Sequence, residues 1–358
     1  MGTRAKVGTC LPALVKMAVP LLKEAERQCS RTGPGAKPEI PDWLIGALIM
    51  VAALKRKKSK SSQFRFLTDE QNRRQMISVL GYNRWPSRST FFRRYRRAHR
   101  LFRMAIALQG QKAIGEGVAD PKVVAVDKSL VAARGPLWHK RDRQRNRIPK
   151  GLRGVDRDST WGYSQHHGWV QGYSFEVVVS ATADSTVFPL VASVDTASTK
   201  ETQAFADKLE ELPEETDTVL ADSGYDSNEL GERIEYDDKG RRTGRRFLCP
   251  ENRRGSKRPP TGPPPVPRDE SHRRRLARRK FLKSRQGKRR YTRRGQTVEP
   301  FNDWFKGLFE LEHRAWHRGL DNNRTQLLAA IFGYQLLVRY NHRHGNTNGR
   351  VRWILDGQ

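Results

Sequence analysis

The sequence predicts an α/β domain behind an all-α N-terminal region. From about residue 120 onward, β-branched runs alternate with amphipathic stretches, whereas the preceding residues show helical spacing and helix-capping signals. Eight Trp and fourteen Phe in 358 residues argue for a packed core, although 30% of the chain is charged. Two composition breaks, GPGAKPEIP at 33–41 and the basic segment 252–290, punctuate the pattern. The expected organisation is a helical region over 1–115, an α/β domain over 116–345 with an insertion at 252–290, and a tail over 346–358.

The formal charge of +31 and pI of about 10.7 call for a polyanionic partner, of which nucleic acid is the usual one. Anionic membrane is the rival, disfavoured because the charge is spread along the chain rather than set beside a lipid-facing helix. Cys10, Cys29 and Cys249 are isolated and show no CxxC spacing, which fits a reducing compartment without zinc site or disulfide framework. LPALVKMAVPLL is interrupted by Lys16 and followed by KEAER, so it does not read as a signal peptide. WLIGALIMVAAL (43–54) is too short to span a bilayer and reads as a buried helix. The expectation is a cytoplasmic, nucleoid-associated protein.

In chain order, residues 1–32 read as a basic amphipathic helical region, followed by the linker and the buried helix. LTDEQNRRQMISVLGYNRWPSRSTFFRRYRRAHR then offers two short helices. Thr68 or Asp69 can cap the first, Gly81 ends it, and Ser87 or Ser89 caps the second. A second helix carrying Arg88, Arg93, Arg94, Arg96 and Arg97 suggests a helix-turn-helix over about 68–99 that binds DNA. The alternative is a helical bundle with solvated arginines.

PKVVAVDKSLVAA is the first strand. GYSFEVVVSATA (172–183) and TVFPLVASVD (186–195) form an antiparallel pair turned at Asp184-Ser185. A helix KETQAFADKLEEL, a strand TDTVLADSGY, a helix SNELGERI and a strand RRFLCPEN follow. Asp226 reads as the cap of SNELGERI, with Glu229 at the third position of a capping box. Residues 137–169 read as a basic loop able to touch DNA. In it Trp161 and Trp169 are expected to pack, with base stacking as the alternative, and the adjacent His166 and His167 are poorly placed to share a metal.

In the insertion, sixteen Lys and Arg face two acids, a net of +14. PPTGPPPVP reads as a spacer, and SHRRRLARRKFLKSR as a segment that becomes helical when phosphates neutralise it. DNNRTQLLAAIFGYQLLVRYNHR closes the core.

In YTRRGQTVEPFNDWFKGLFEL (291–311), Val298, Phe301, Phe305 and Leu308 recur at helical spacing, with Glu299, Asp303, Lys306 and Glu310 on a neighbouring stripe. A carboxylate bordering a buried face, seven residues before a lysine, suits a metal ligand with a phosphate clamp behind it. The alternative is a solvated stripe. Asp127 and Asp222 each end a strand-like run, where a carboxylate can meet a helix-borne one. Capping is the competing role, for Asp127 at a turn and for Glu299 in the first turn of its own helix.

VVAVDKS, GYSFEVVVSATADSTVFPLVASVD, VLADSGYDS and Tyr291-x2-Arg294…Glu299-x6-Lys306 together resemble the DDE transposases of bacterial insertion sequences, in particular the group of insertion sequences 4 and 5. The resemblance covers roughly 120–340. It implies a ribonuclease H-like mixed sheet flanked by helices, and an enzyme that binds terminal inverted repeats, cleaves DNA and transfers strands into target DNA. It also implies a catalytic triad of Asp127, Asp222 and Glu299 holding two Mg²⁺ or Mn²⁺ ions, with Tyr291, Arg294 and Lys306 near substrate phosphates. A homodimer in a paired-end complex is the implied assembly. The family pattern has three residues between Arg and Glu, and this chain has four. A catalytically inactive, transposase-derived DNA-binding protein is the second reading.

Overall fold

The computed structural model describes residues 10–29, 38–164, 168–252, 266–347, 349 and 351–356. His166, His167 and most of the proline spacer lie outside the described residues.

Six helices come first: α1 (Cys10–Cys29), α2 (Asp42–Leu54), α3 (Lys60–Thr68), α4 (Glu70–Leu80), α5 (Arg88–Tyr95) and α6 (Ala98–Gly115). Helix α1 buries Leu14, Val15, Ala18, Leu22 and Ala25, one stripe at i, i+4 and i+7 spacing. Helix α2 is buried from Trp43 to Leu54 because α1, α6 and a long C-terminal helix enclose it, as its uniformly apolar sequence requires. The capping signals hold. The side chain of Asp69 accepts from Asn72 N, Gly81 takes the left-handed conformation at φ 63°, and Ser87 accepts from Thr90 N. The connection between α4 and α5 is seven residues of mostly extended chain, 81–87.

β1 (Val123–Ala132) leads into the basic loop, which carries the short α7 (Lys140–Gln144). Next come β2 (Thr160–Ser164), β3 (Gly168–Ser180), β4 (Pro189–Thr196), α8 (Glu201–Ala206), β5 (Thr218–Leu220), α9 (Asn228–Glu235) and β6 (Arg246–Leu248). α10 (Glu270–Lys283), α11 (Arg285–Leu308), α12 (Leu320–Arg343) and α13 (Arg352–Asp356) complete the chain. The sheet order is β2–β3–β1–β5–β6, with β4 also paired to β3. β1 runs antiparallel to β3 and parallel to β5, and β5 runs parallel to β6. β2 takes the first part of the outer edge of β3 and β4 the rest. The result is a mixed α/β sheet flanked by helices.

Phe305 of α11 meets Phe175 of β3 edge-on, and Phe301 meets Tyr334 of α12, which seats both helices on the sheet. Gln335 of α12 donates to Ile106 O and Pro189 O, tying α6 and β4 together. One buried cluster runs continuously from Leu11 to Ile354. Gly110 lets α6 come close to β4, since a Cβ there would lie 3.0 Å from the Leu190 carbonyl oxygen.

Four sequence readings need correction. The 137–169 loop contains a strand, β2, and its partner β3 starts earlier than expected, so Trp169 sits in a hairpin at 59% exposure instead of packing. Helix α8 stops at Ala206 because Lys208 turns into the core, where its ammonium reaches Ser193 and the Ala204 carbonyl. Ser227, not Asp226, caps α9. Asp226 instead takes Arg275 and Arg279 of α10. The basic segment over 270–283 is a helix whose arginines meet acids of the chain itself: Arg274 and Arg278 pair with Glu232, and Arg278 also with Glu235.

Candidate functional site

Asp127 lies in the middle of β1, opposite Val177 of β3, on the face covered by α11. Asp222 lies two residues past the end of β5, which is the parallel neighbour of β1. It starts a tight turn, accepting from Gly224 N at 2.7 Å. Glu299 lies on α11, whose Val298, Phe301, Phe305 and Leu308 are all buried as their spacing predicts. Burying that face brings the next stripe to the edge of β1, because helix positions one residue apart are about 100° apart in azimuth. Glu310 does not share that stripe. The helix has ended by then, and Glu310 is exposed, left-handed at φ 51° and paired with Lys58.

The three acids meet at one side chain, Arg294 of α11. Its Nη2 donates to Asp127 Oδ1 at 2.6 Å and lies 3.8 Å from Asp222 Oδ2. Its Nη1 donates to Glu299 Oε1 at 2.8 Å. The Arg294 side chain is 10% exposed and its Nε has no hydrogen-bond partner. Asn302, one helical turn beyond Glu299, donates to Asp127 Oδ2 at 2.7 Å, while its own Oδ1 is buried without a partner.

Burial pushes the Asp127 carboxyl up to about 7; Arg294 opposes that shift and Asp222 adds to it. Burial also disfavours the Arg294 charge, but Asp127, Asp222, Tyr291 and Glu299 outweigh it and raise its pKa. Tyr291 is half-buried and its phenol is pushed up to about 12, chiefly by burial. Burial lowers the Lys306 pKa, with Asp303 and Asp127 pulling the other way. Beneath the acids, the Cys249 thiol donates to the Asp222 carbonyl at 2.9 Å.

The chain matches the model of the transposase DDE domain over residues 119–336. It belongs to that family. No curated protein matches it in sequence. Among solved structures, a piggyBac transposase synaptic complex with hairpin DNA, determined by cryo-electron microscopy, aligns at 10% identity and a TM-score of 0.43. That alignment covers 99% of this chain and 79% of the other.

Two members of this cluster have little or no signal in the sequence. Asn302 carried one weak signal, its place three residues after Glu299 on the same helix. Glu201 of α8 brings a fourth carboxylate up against Gly224, where any Cβ would collide with it, and it also raises the Asp127 pKa.

The donor set suits a hard dication in kind: carboxylates, plus an unpartnered amide oxygen at Asn302. As they stand, no three His, Cys, Asp or Glu side chains among the described residues are arranged to hold a metal ion. Arg294 occupies their common centre.

The arginines of α5 lie elsewhere, on an element that packs chiefly on α2, α3 and α6. Arg93, Arg96 and Arg97 are exposed. Arg88 is exposed over the Phe92 ring and reaches Ser61. Arg94 differs from these, since its side chain is 13% exposed, paired with Asp42 and bonded to the Ile40 carbonyl. No helix among the described residues is long and apolar enough to cross a membrane.

Proposed function

We propose that this chain is an active transposase of the insertion sequence 4/5 type, with a ribonuclease H-like catalytic domain over 116–345 and DNA recognition in 1–115. The observation that carries this reading is the convergence of Asp127, Asp222 and Glu299, from two neighbouring strands and one helix, on a single cationic centre. The sheet supports it, with an antiparallel β1–β3–β4 unit continued by parallel β5 and β6.

Asp127, Asp222 and Glu299 would hold the ions, a pair of Mg²⁺ or Mn²⁺. Such ions activate a water or 3′-hydroxyl and stabilise the leaving oxygen. The chain's own groups do the placing. Asn302 fixes one oxygen of Asp127, the Gly224 N–H fixes one of Asp222, and Lys306 adds positive charge on the same helix for a substrate phosphate. Arg88 and Arg93 of α5, with Arg97 just before α6, meet the terminal inverted repeats. Exposed Tyr163 and Trp169, with Lys140 over the Trp169 ring, extend a basic surface toward DNA. Two copies act together on paired ends before joining them to target DNA.

The test is incubation of the protein with its element's own ends and Mg²⁺, reading cut positions on both strands. Asp127→Asn, Asp222→Asn and Glu299→Gln are each expected to abolish cutting and leave end binding intact. Binding without cutting by the wild-type protein would establish the inactive DNA-binding reading instead.

A further inference from the structure

We propose that Arg294 and a divalent cation compete for the same carboxylates, so that Arg294 keeps the acid cluster closed until a DNA phosphate withdraws it. This rests on the reading of Asp127, Asp222 and Glu299 as the metal-holding set. Three carboxylates facing one another repel unless a cation sits among them. In this structure Arg294 is that cation, donating to two of the acids and lying within 4 Å of the third.

The placement is specific to this chain's spacing. Arg294 precedes Glu299 by five positions on α11, one more than the family pattern, and still reaches back to the Glu299 carboxylate. A guanidinium holding Asp127 Oδ1 and Glu299 Oε1 occupies the oxygens that a metal ion would take. A dication placed among them would also face an adjacent positive charge in a poorly solvated site. Removing the guanidinium without replacement would leave the acids unscreened, so release and metal entry are linked.

Phosphate is suited to draw Arg294 out. A guanidinium binds a phosphate through two parallel N–H donors, and Arg294 already points two nitrogens into the cluster. Its third nitrogen, Nε, is buried without a partner, so the closed state leaves one of its donors unsatisfied. A DNA backbone arriving at the site supplies the competing anion, and metal loading then follows DNA binding.

The experiment is a Mn²⁺ titration of the full-length protein, read by the loss of the free-ion electron paramagnetic resonance signal, without DNA and with a duplex carrying the terminal repeat. Asp127→Asn protein with the same DNA gives the background of ions bound by DNA alone. Without DNA, Arg294→Ala and Arg294→Gln should bind Mn²⁺ at least about ten-fold more tightly than wild type. Arg293→Ala, one position away, should match wild type. Adding DNA should tighten Mn²⁺ binding by wild type and change the Arg294 variants little. Equal affinities for wild type and the Arg294 variants, or weaker binding by the variants, would overturn the proposal. The wild-type comparison with and without DNA needs no variant, and an unchanged affinity there would overturn it too. Metal-dependent cutting by a wild-type protein that fails these tests would sink the competition while leaving the transposase reading in place. Absence of cutting would sink that reading instead.

Discussion

The Tyr225 hydroxyl donates to Glu176 Oε2 at 2.8 Å, on the face of the sheet opposite Asp127. Glu176 also pairs with Lys208 at 2.5 Å, and both side chains are almost completely buried. Tyr225 belongs to the same turn as Asp222, so this pair anchors the loop that presents the acid. Burial raises the pKa of both Glu176 and Tyr225; Lys208 opposes the shift at Glu176.

Removing Lys208 would leave Glu176 buried without its counter-ion. Lys208→Met is expected to cost about 3–5 kcal/mol of folding stability. Tyr225→Phe loses one donor to that carboxylate and is expected to cost about 1–3 kcal/mol. Urea unfolding of the two variants measures both, and a Lys208→Met protein as stable as wild type would remove the pair from the fold's support.

His317 should make the protein acid-sensitive. Burial, with Lys60 and Arg134 nearby, pushes its pKa to about 3, and its Nε2 lies 3.0 Å from the Tyr95 hydroxyl. The unfolded chain binds a proton at the ordinary histidine pKa of about 6.5, and the folded chain does not until about 3. The stabilising contribution is therefore complete above about 6.5 and is lost as pH falls toward 3. Thermal unfolding across that window should show Tm falling with acid, and His317→Asn should flatten the slope.

Arg93 and Arg94 are neighbours with opposite expected effects. Arg93 is exposed, so Arg93→Ala should weaken binding to end DNA, by about 1–3 kcal/mol if it contacts a base, and leave stability unchanged. Arg94 holds Asp42 at the start of α2, so Arg94→Ala should lower Tm. Parallel filter-binding and melting measurements separate the two, and an Arg94→Ala protein with unaltered Tm would contradict its structural role.

Helix α10 is fastened largely by ion pairs, and salt should loosen it. Arg274, Arg275, Arg278 and Arg279 face Glu232, Asp226, Glu235 and Glu251, with few buried apolar groups beneath. Protease cutting within 270–283 should rise between low and high salt, and Asp226→Asn should raise it already at low salt. End DNA should compete for the same arginines. Cutting that is indifferent to salt would show that α10 is held by packing through Phe281 and Leu282 instead.

Metal identity should matter to cutting but not to binding. Ca²⁺ takes six to eight ligands in loose geometry, whereas Mg²⁺ demands an octahedron, so Ca²⁺ should support end binding with little cleavage. Efficient cutting in Ca²⁺, or in chelator alone, would count against a two-ion mechanism.

Features set by local chemistry are legible in the residues alone. The caps at Asp69, Gly81 and Ser87 hold, because a hydroxyl, a carboxylate or a missing Cβ acts on backbone within three residues of itself. The buried stripe of α11 and the all-buried α2 follow from periodicity and uniform hydrophobicity, which report burial wherever the partner lies. Which charges meet depends on how distant elements pack. Arg294 reaches Asp127 across 167 residues and Asp226 receives Arg275 across 49, so neither pairing leaves a trace in local spacing. Asp226 looked like a cap because its neighbours resembled a capping box, yet Ser227 won that place and freed the carboxylate for α10. Lys208 is buried by a carboxylate from a distant strand, and Trp169 is exposed in a hairpin it shares with Tyr163. A charge can be buried only where a partner from elsewhere in the chain compensates it, and strand register and helix docking set that partner.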